Sequence, residues 1–133
     1  MVNVGDKSIM SRVVLESDIT AFAEVSGDYN SVHLDEKKAS RSFFGKRIAH
    51  GMFGGSLISS VISNQLPGDG TIYISQNLKF IKPIFIGDEV STTVEVIEKI
   101  GRKIRLKTTC SVDGNEAISG EAVVSVVGDY HEN

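Results

Sequence analysis

The sequence predicts an α+β domain in which an antiparallel sheet encloses one apolar helix. Three observations carry that expectation. Residues 52–65 run without a charged side chain and are long enough for about four helical turns. From residue 71 onward the pattern changes to long stretches rich in Ile, Val and Thr, which suit strands. The helical patterns all precede those strands, and such segregation marks α+β rather than alternating α/β. At 133 residues the chain is sized for a single domain, 1–133, and it shows no linker and no internal repeat.

In chain order, residues 11–15 read as a short strand. Ser17 is a candidate N-cap for a helix whose apolar stripe is Ile19, Phe22 and Ala23, and Gly27 ends it. Residues 34–40 suggest a second short helix capped by Asp35, with Glu36, Lys37 and Lys38 on a solvated face. Residues 41–47 form a loop. In the long apolar segment Gly54, Gly55, Ser56, Ser59, Ser60 and Ser63 are interleaved with Met52, Phe53, Leu57, Ile58, Val61 and Ile62, so the helix is expected to be buried nearly all round. Its small residues permit close approach of a backbone or ligand, and Pro67, Gly68 and Gly70 stop it. The strands are expected at 71–80, 89–97, 103–112 and 116–127. Asp113-Gly114 and Gly101-Arg102 supply their turns, while Pro83 breaks the first strand and Gly87-Asp88 sets the next.

Composition narrows the function. A net charge of -3 and a pI near 5.6 leave no basic excess for a nucleic-acid partner. No apolar run approaches a membrane span, and residues 1–6 lack a basic flank followed by an apolar core, so the expectation is a cytoplasmic protein with no membrane contact. Cys110, the lone cysteine, excludes an internal disulfide and reads as a small buried residue in a strand. His33, His50 and His131 are not at helical metal-ligand spacing, and no metal site is expected. His131 belongs to a polar tail, residues 128–133, expected to be mobile.

Chemistry concentrates in Gly27, Asp28, Tyr29, Asn30, Ser31, Val32 and His33, where a carboxylate, a carboxamide and an imidazole share seven positions. Gly27, Asn30 and Ser31 favour turns over regular helix, so the three side chains can converge on one small molecule. An Asp and a His supply the acceptor and the near-neutral group that acid/base work on water requires. The same residues also serve merely to satisfy loop N–H groups, with the His on the surface.

The heptad, together with Ile48-Ala49-His50-Gly51-Met52 and Gly87-Asp88-Glu89-Val90, resembles the MaoC-like hydratases of the hotdog fold, and in particular the short (R)-specific enoyl-CoA hydratases. The likeness runs from about residue 11 to residue 127. The family heptad is G-D-x-N-P-x-H, and Ser31 stands here in place of its proline, which loosens a turn without removing a chemical group. The resemblance implies hydration of a trans-2-enoyl thioester to an (R)-3-hydroxyacyl thioester, with no cofactor beyond the coenzyme A of the substrate.

It also implies roles. Asp28 and His33 match the catalytic pair that activates one water, Asp28 accepting from it and His33 relaying or delivering the proton, and Asn30 matches the residue that helps fix the site. Gly51 matches the glycine whose N–H polarises the thioester carbonyl, and its place before the apolar helix suits a developing negative charge. Ser59 and Ile62 are expected beside the acyl chain, although Ser59 serves equally as a packing residue of the helix. His50 is grouped with the substrate-binding residues as one that orders the loop. Lys79, Lys82, Arg47 and Arg102 are candidates for the carrier's phosphates. The resemblance further implies a homodimer with a sheet continuous across the interface. The rival expectations are an (R)-3-hydroxyacyl-ACP dehydratase acting on acyl-ACP, an acyl-CoA thioesterase of the same fold, and an acyl-thioester binding subunit.

Overall fold

In a computed structural model, which describes residues 1–127, the chain folds as β1 (Lys7–Val13), α1 (Glu16–Ser26), α2 (Ser31–Leu34), α3 (Glu36–Ser40), α4 (Gly51–Asn64), β2 (Thr71–Gln76), β3 (Lys79–Phe80), β4 (Glu89–Ile100), β5 (Lys103–Val112) and β6 (Asn115–Val126). The strands form one antiparallel sheet in the order β1-β4-β5-β6-β2, with β3 also beside β6. The polar tail proposed for 128–133, with His131, lies outside the described residues.

The core follows from strand alternation. Val90, Thr92, Val94 and Val96 of β4 and Ile104, Leu106, Thr108 and Cys110 of β5 point to one face, where α4 lays Phe53, Gly54, Ile58, Val61 and Ile62. On β6 the alternation slips, so that Ala117 and Ile118 are both buried, because the register shifts by one residue between Cys110 and Ser111. Gly54 brings the helix close to the sheet. A Cβ there would fall 2.2 Å from Ile118 Cδ1. The sheet wraps the helix, as a hotdog fold requires, and Cys110 is buried beside Thr92 as a packing residue.

Several local expectations change. The first strand lies earlier, at Lys7–Val13, since its residues pair along β4 from Lys7↔Glu95 to Val13↔Glu89. Ser17 does not cap α1. Leu15 is the N-cap, and the Asp18 carboxylate accepts from its N–H at 2.9 Å while also pairing with Arg12. Gly27 does end the helix, at φ 75°. Asn30 starts a one-turn helix, α2, by accepting from the Val32 N–H at 3.1 Å, and Asp35 caps α3 through the Lys38 N–H. Helix α4 is not buried all round: Met52, Ser56 and Ser63 are exposed, because the sheet of one chain covers only one side of it. The strand expected over 71–80 is divided at Asn77 and Leu78, where the Asn77 backbone crosses Gly120 at a distance that admits no side chain.

Candidate functional site

The site forms where three backbone segments are tied together. Residues 48–50 run between α2 and the 84–85 segment: the Ile48 N–H donates to the Val32 carbonyl at 3.2 Å and the Ala49 N–H to the Ile84 carbonyl at 2.7 Å. That placement sets His50 and Gly51 against the Asp28–His33 loop. A cavity of about 420 Å³ opens there, of a size suited to a small organic ligand, and Asp28, His33, His50 and Gly51 line it with Phe80 and Ile118.

The loop is ordered by its own side chains. Asp28 Oδ1 accepts from the Asn30 N–H at 3.2 Å, and Asn30 is occupied as the cap of α2 rather than lining the cavity. His33 is buried and its Nδ1 lies 2.8 Å from the Ile48 carbonyl oxygen. A carbonyl only accepts, so Nδ1 carries the hydrogen and Nε2 is the acceptor, without a protein partner among the described residues. Burial is the main influence on this imidazole and lowers its pKa below 6.5. The Ile48 carbonyl opposes that shift, His50 adds to it, and Asp28 opposes it.

A second set of bonds holds the other end of His33. Arg47, only 8% exposed, donates from Nε to the His33 carbonyl at 2.7 Å and from Nη1 to Glu16 at 2.7 Å, with Glu36 at 3.8 Å. It is therefore a strut for His33, and it does not line this cavity. Arg47→Met is expected to lower the unfolding free energy by about 1–3 kcal/mol, because the His33 carbonyl loses its charged donor, and urea denaturation measures the loss. Sequence reading missed this role because Arg47 lies in a loop where no periodicity marks the inward face. Of the other candidate phosphate contacts, Lys82 lines the cavity, whereas Lys79 and Arg102 do not.

Gly51 begins α4, and its N–H forms no hydrogen bond among the described residues, as expected for the first turn of a helix. The ring of Phe80 lies against it, 2.7 Å from where a Cβ would stand. Ser59 sits two turns further along α4, half-buried, and Ile62 is fully enclosed in the core; neither lines this cavity. The apolar wall comes instead from Phe44, Met52, Phe80, Ile81 and Ile118.

Asp28, His33 and His50 each place one donor atom within 4.8 Å of the other two, a separation also compatible with a metal ion. The two imidazoles are stacked, however, at 3.9 Å and 26° between planes, and each already has one ring nitrogen bonded to a carbonyl. In-plane lone pairs of stacked rings run side by side rather than converging on one ion. The arrangement suits a water molecule held by the carboxylate and one imidazole nitrogen.

The described helices include none long and apolar enough to cross a membrane. The chain is 47% identical over 125 residues to a 3-hydroxybutyryl-CoA dehydratase of Methylorubrum extorquens, covering 92% of this chain and 80% of that protein. It is 43% identical over 124 residues to an (R)-specific enoyl-CoA hydratase of Rhodospirillum rubrum, covering 92% and 86%. Its fold superposes with a TM-score of 0.92 on the (R)-hydratase from Aeromonas caviae involved in PHA biosynthesis, at 39% identity over 95% of this chain and 98% of that one. The family described as MaoC like domain matches residues 4–120, and the chain belongs to it.

Proposed function

We propose that the protein is a hydro-lyase that adds water reversibly across a trans-2-enoyl-CoA to give the (R)-3-hydroxyacyl-CoA. The observation that carries this reading is the convergence of Asp28, His33 and Gly51 on one cavity. The similarity to the dehydratase and hydratase described above supports the reaction class.

The hydrogen-bond pattern supports the following proton steps. His33 Nε2, the free acceptor, takes a proton from the water as its oxygen bonds to C3. The π electrons shift onto the thioester oxygen, and the enolate meets the Gly51 N–H. His33, now charged beside Asp28, returns its proton to C2 as the enolate collapses, so the water's oxygen and proton reach the same face. Asp28 accepts a second hydrogen bond from the water and fixes its direction. The C=C π bond and an O–H bond are broken and a C–O and a C–H bond are made, so the chemistry calls for no redox group, and coenzyme A enters only as part of the substrate.

The pH dependence follows from the lowered pKa of His33. Its neutral form is the competent base, so kcat/KM for hydration is expected to rise to a plateau with pH, the midpoint of its acid limb lying below 6.5. A pH–rate profile with its acid limb centred above 6.5 contradicts that assignment.

A homodimer belongs to the same reading. Strand β2 ends the sheet, and Ile72, Ile74, Phe80, Ile81 and Met52 are exposed on the flank it shares with the start of α4. A second copy pairing along β2 covers them and extends the sheet. A cytoplasmic location is part of the same proposal. Purified protein mixed with crotonyl-CoA, and separately with crotonyl-ACP, tests the function: loss of the enoyl-thioester absorbance with the CoA substrate supports it, and turnover of the carrier-protein substrate alone replaces it with the dehydratase reading.

A further inference from the structure

His50 stands where the two halves of the proposed site meet. It is the residue before α4, so its backbone is joined directly to the Gly51 N–H. Its side chain reaches back 22 residues, Nε2 donating to the Asp28 carbonyl oxygen at 3.0 Å. That donation leaves Nδ1 as an acceptor, and Nδ1 is buried with no partner among the described residues. The ring is 2% exposed, stacked on His33 at 3.9 Å and tilted against Phe22 at 5.0 Å.

We infer that His50 is a positioning residue that registers the Asp28 loop against the backbone presenting the Gly51 N–H. The inference rests on the hydratase reading and extends it. A proton-transfer role does not fit, because Nε2 is committed to a carbonyl that passes no proton on and Nδ1 is sealed from solvent. Packing alone does not fit either. A phenylalanine or leucine would occupy the same volume without stranding a buried acceptor, an arrangement native cores avoid. What the imidazole supplies, and an apolar ring does not, is one donor on a rigid plane. Clamped between Phe22 and His33, that plane has a fixed direction, so the bond sets the distance between the group that holds water and the group that polarises the thioester. Neither half holds this register alone: Asp28 is exposed, at the exit of α1, and Gly51 is carried by a different helix.

Two variants separate the donor from the ring. His50→Gln returns an amide nitrogen near the position of Nε2 and loses the stack; His50→Phe keeps a ring and loses the donor. With crotonyl-CoA, His50→Phe is expected to lower kcat about 100-fold at a KM within about threefold of wild type, the signature of misregistered groups in a formed pocket, whereas His50→Gln stays within about fivefold in both. Hydrogen exchange gives a readout independent of turnover: amides of residues 28–32 are expected to exchange at least about tenfold faster in His50→Phe and at wild-type rates in His50→Gln. Wild-type kcat and exchange in His50→Phe overturn the inference, as does a folded His50→Gln that loses about 100-fold in kcat. If His50→Phe does not fold, the His50→Gln values decide alone. Failure of the wild-type protein to turn over crotonyl-CoA counts against the hydratase reading, and the exchange rates then still judge the role of His50.

Discussion

His33→Asn is expected to lower kcat for crotonyl-CoA hydration by about 1,000-fold, within the range a positioned acid or base contributes, and to leave the protein folded. The asparagine amide nitrogen falls near the position of Nδ1 and can still donate to the Ile48 carbonyl, so the loop keeps its anchor. Arg47 continues to hold the backbone of residue 33 through its carbonyl. What disappears is the Nε2 lone pair, which has no partner among the described residues. A residual rate is expected from the Gly51 N–H and substrate binding alone. Progress curves at saturating substrate measure it, and a variant within tenfold of wild type removes His33 from the chemistry.

The largest expected effect on stability is at Gly120. A Cβ there would stand 1.9 Å from the Asn77 carbonyl oxygen and 2.8 Å from its carbonyl carbon. Both are backbone atoms, held by the Asn77 N–H on the Glu121 carbonyl at 3.0 Å and by Asn77 Oδ1 on the Glu121 N–H at 3.2 Å. The clash cannot be relieved by rotating a side chain, so Gly120→Ala is expected to cost about 3 kcal/mol or more, at the upper end of overpacking effects. Displacing Asn77 also moves β3, and with it Phe80 and Ile81 in the cavity wall, so KM is expected to rise. Gly51→Ala is the informative contrast: the nearest atoms to its Cβ would all belong to the ring of Phe80, which is half exposed and free to turn. Urea unfolding of the two variants compares them, and equal midpoints contradict the account of the crossing at Gly120.

How much of this was written in the sequence depends on how local the signal was. Helix α4 and strands β4, β5 and β6 come from long periodic runs, and the turns at Gly101 and Asp113-Gly114 from residues that adopt positive φ. The end of α1 at Gly27 is likewise a local signal. The division of β2 from β3 is not, because it is imposed by Gly120, more than forty residues downstream. The exposed side of α4 illustrates the same limit: an uncharged helix announces that it is to be covered, but the pattern does not say by which chain. In the site, Asp28, His33, His50 and Gly51 come together as the motifs suggest, while Ser59 and Ile62 lie away from this cavity. Arg47 was legible as a charge and not as a strut, since its role depends on the carbonyl it meets.

In the proposed reaction one water, held between Asp28 and His33, delivers both its oxygen and a proton to a single face of the alkene. Hydration of crotonyl-CoA in D₂O tests it most directly, with the relative configuration at C2 and C3 of the product read by proton NMR. The account predicts an (R)-3-hydroxybutyryl thioester with deuterium and hydroxyl added syn. Anti addition, or an (S) product, would contradict it.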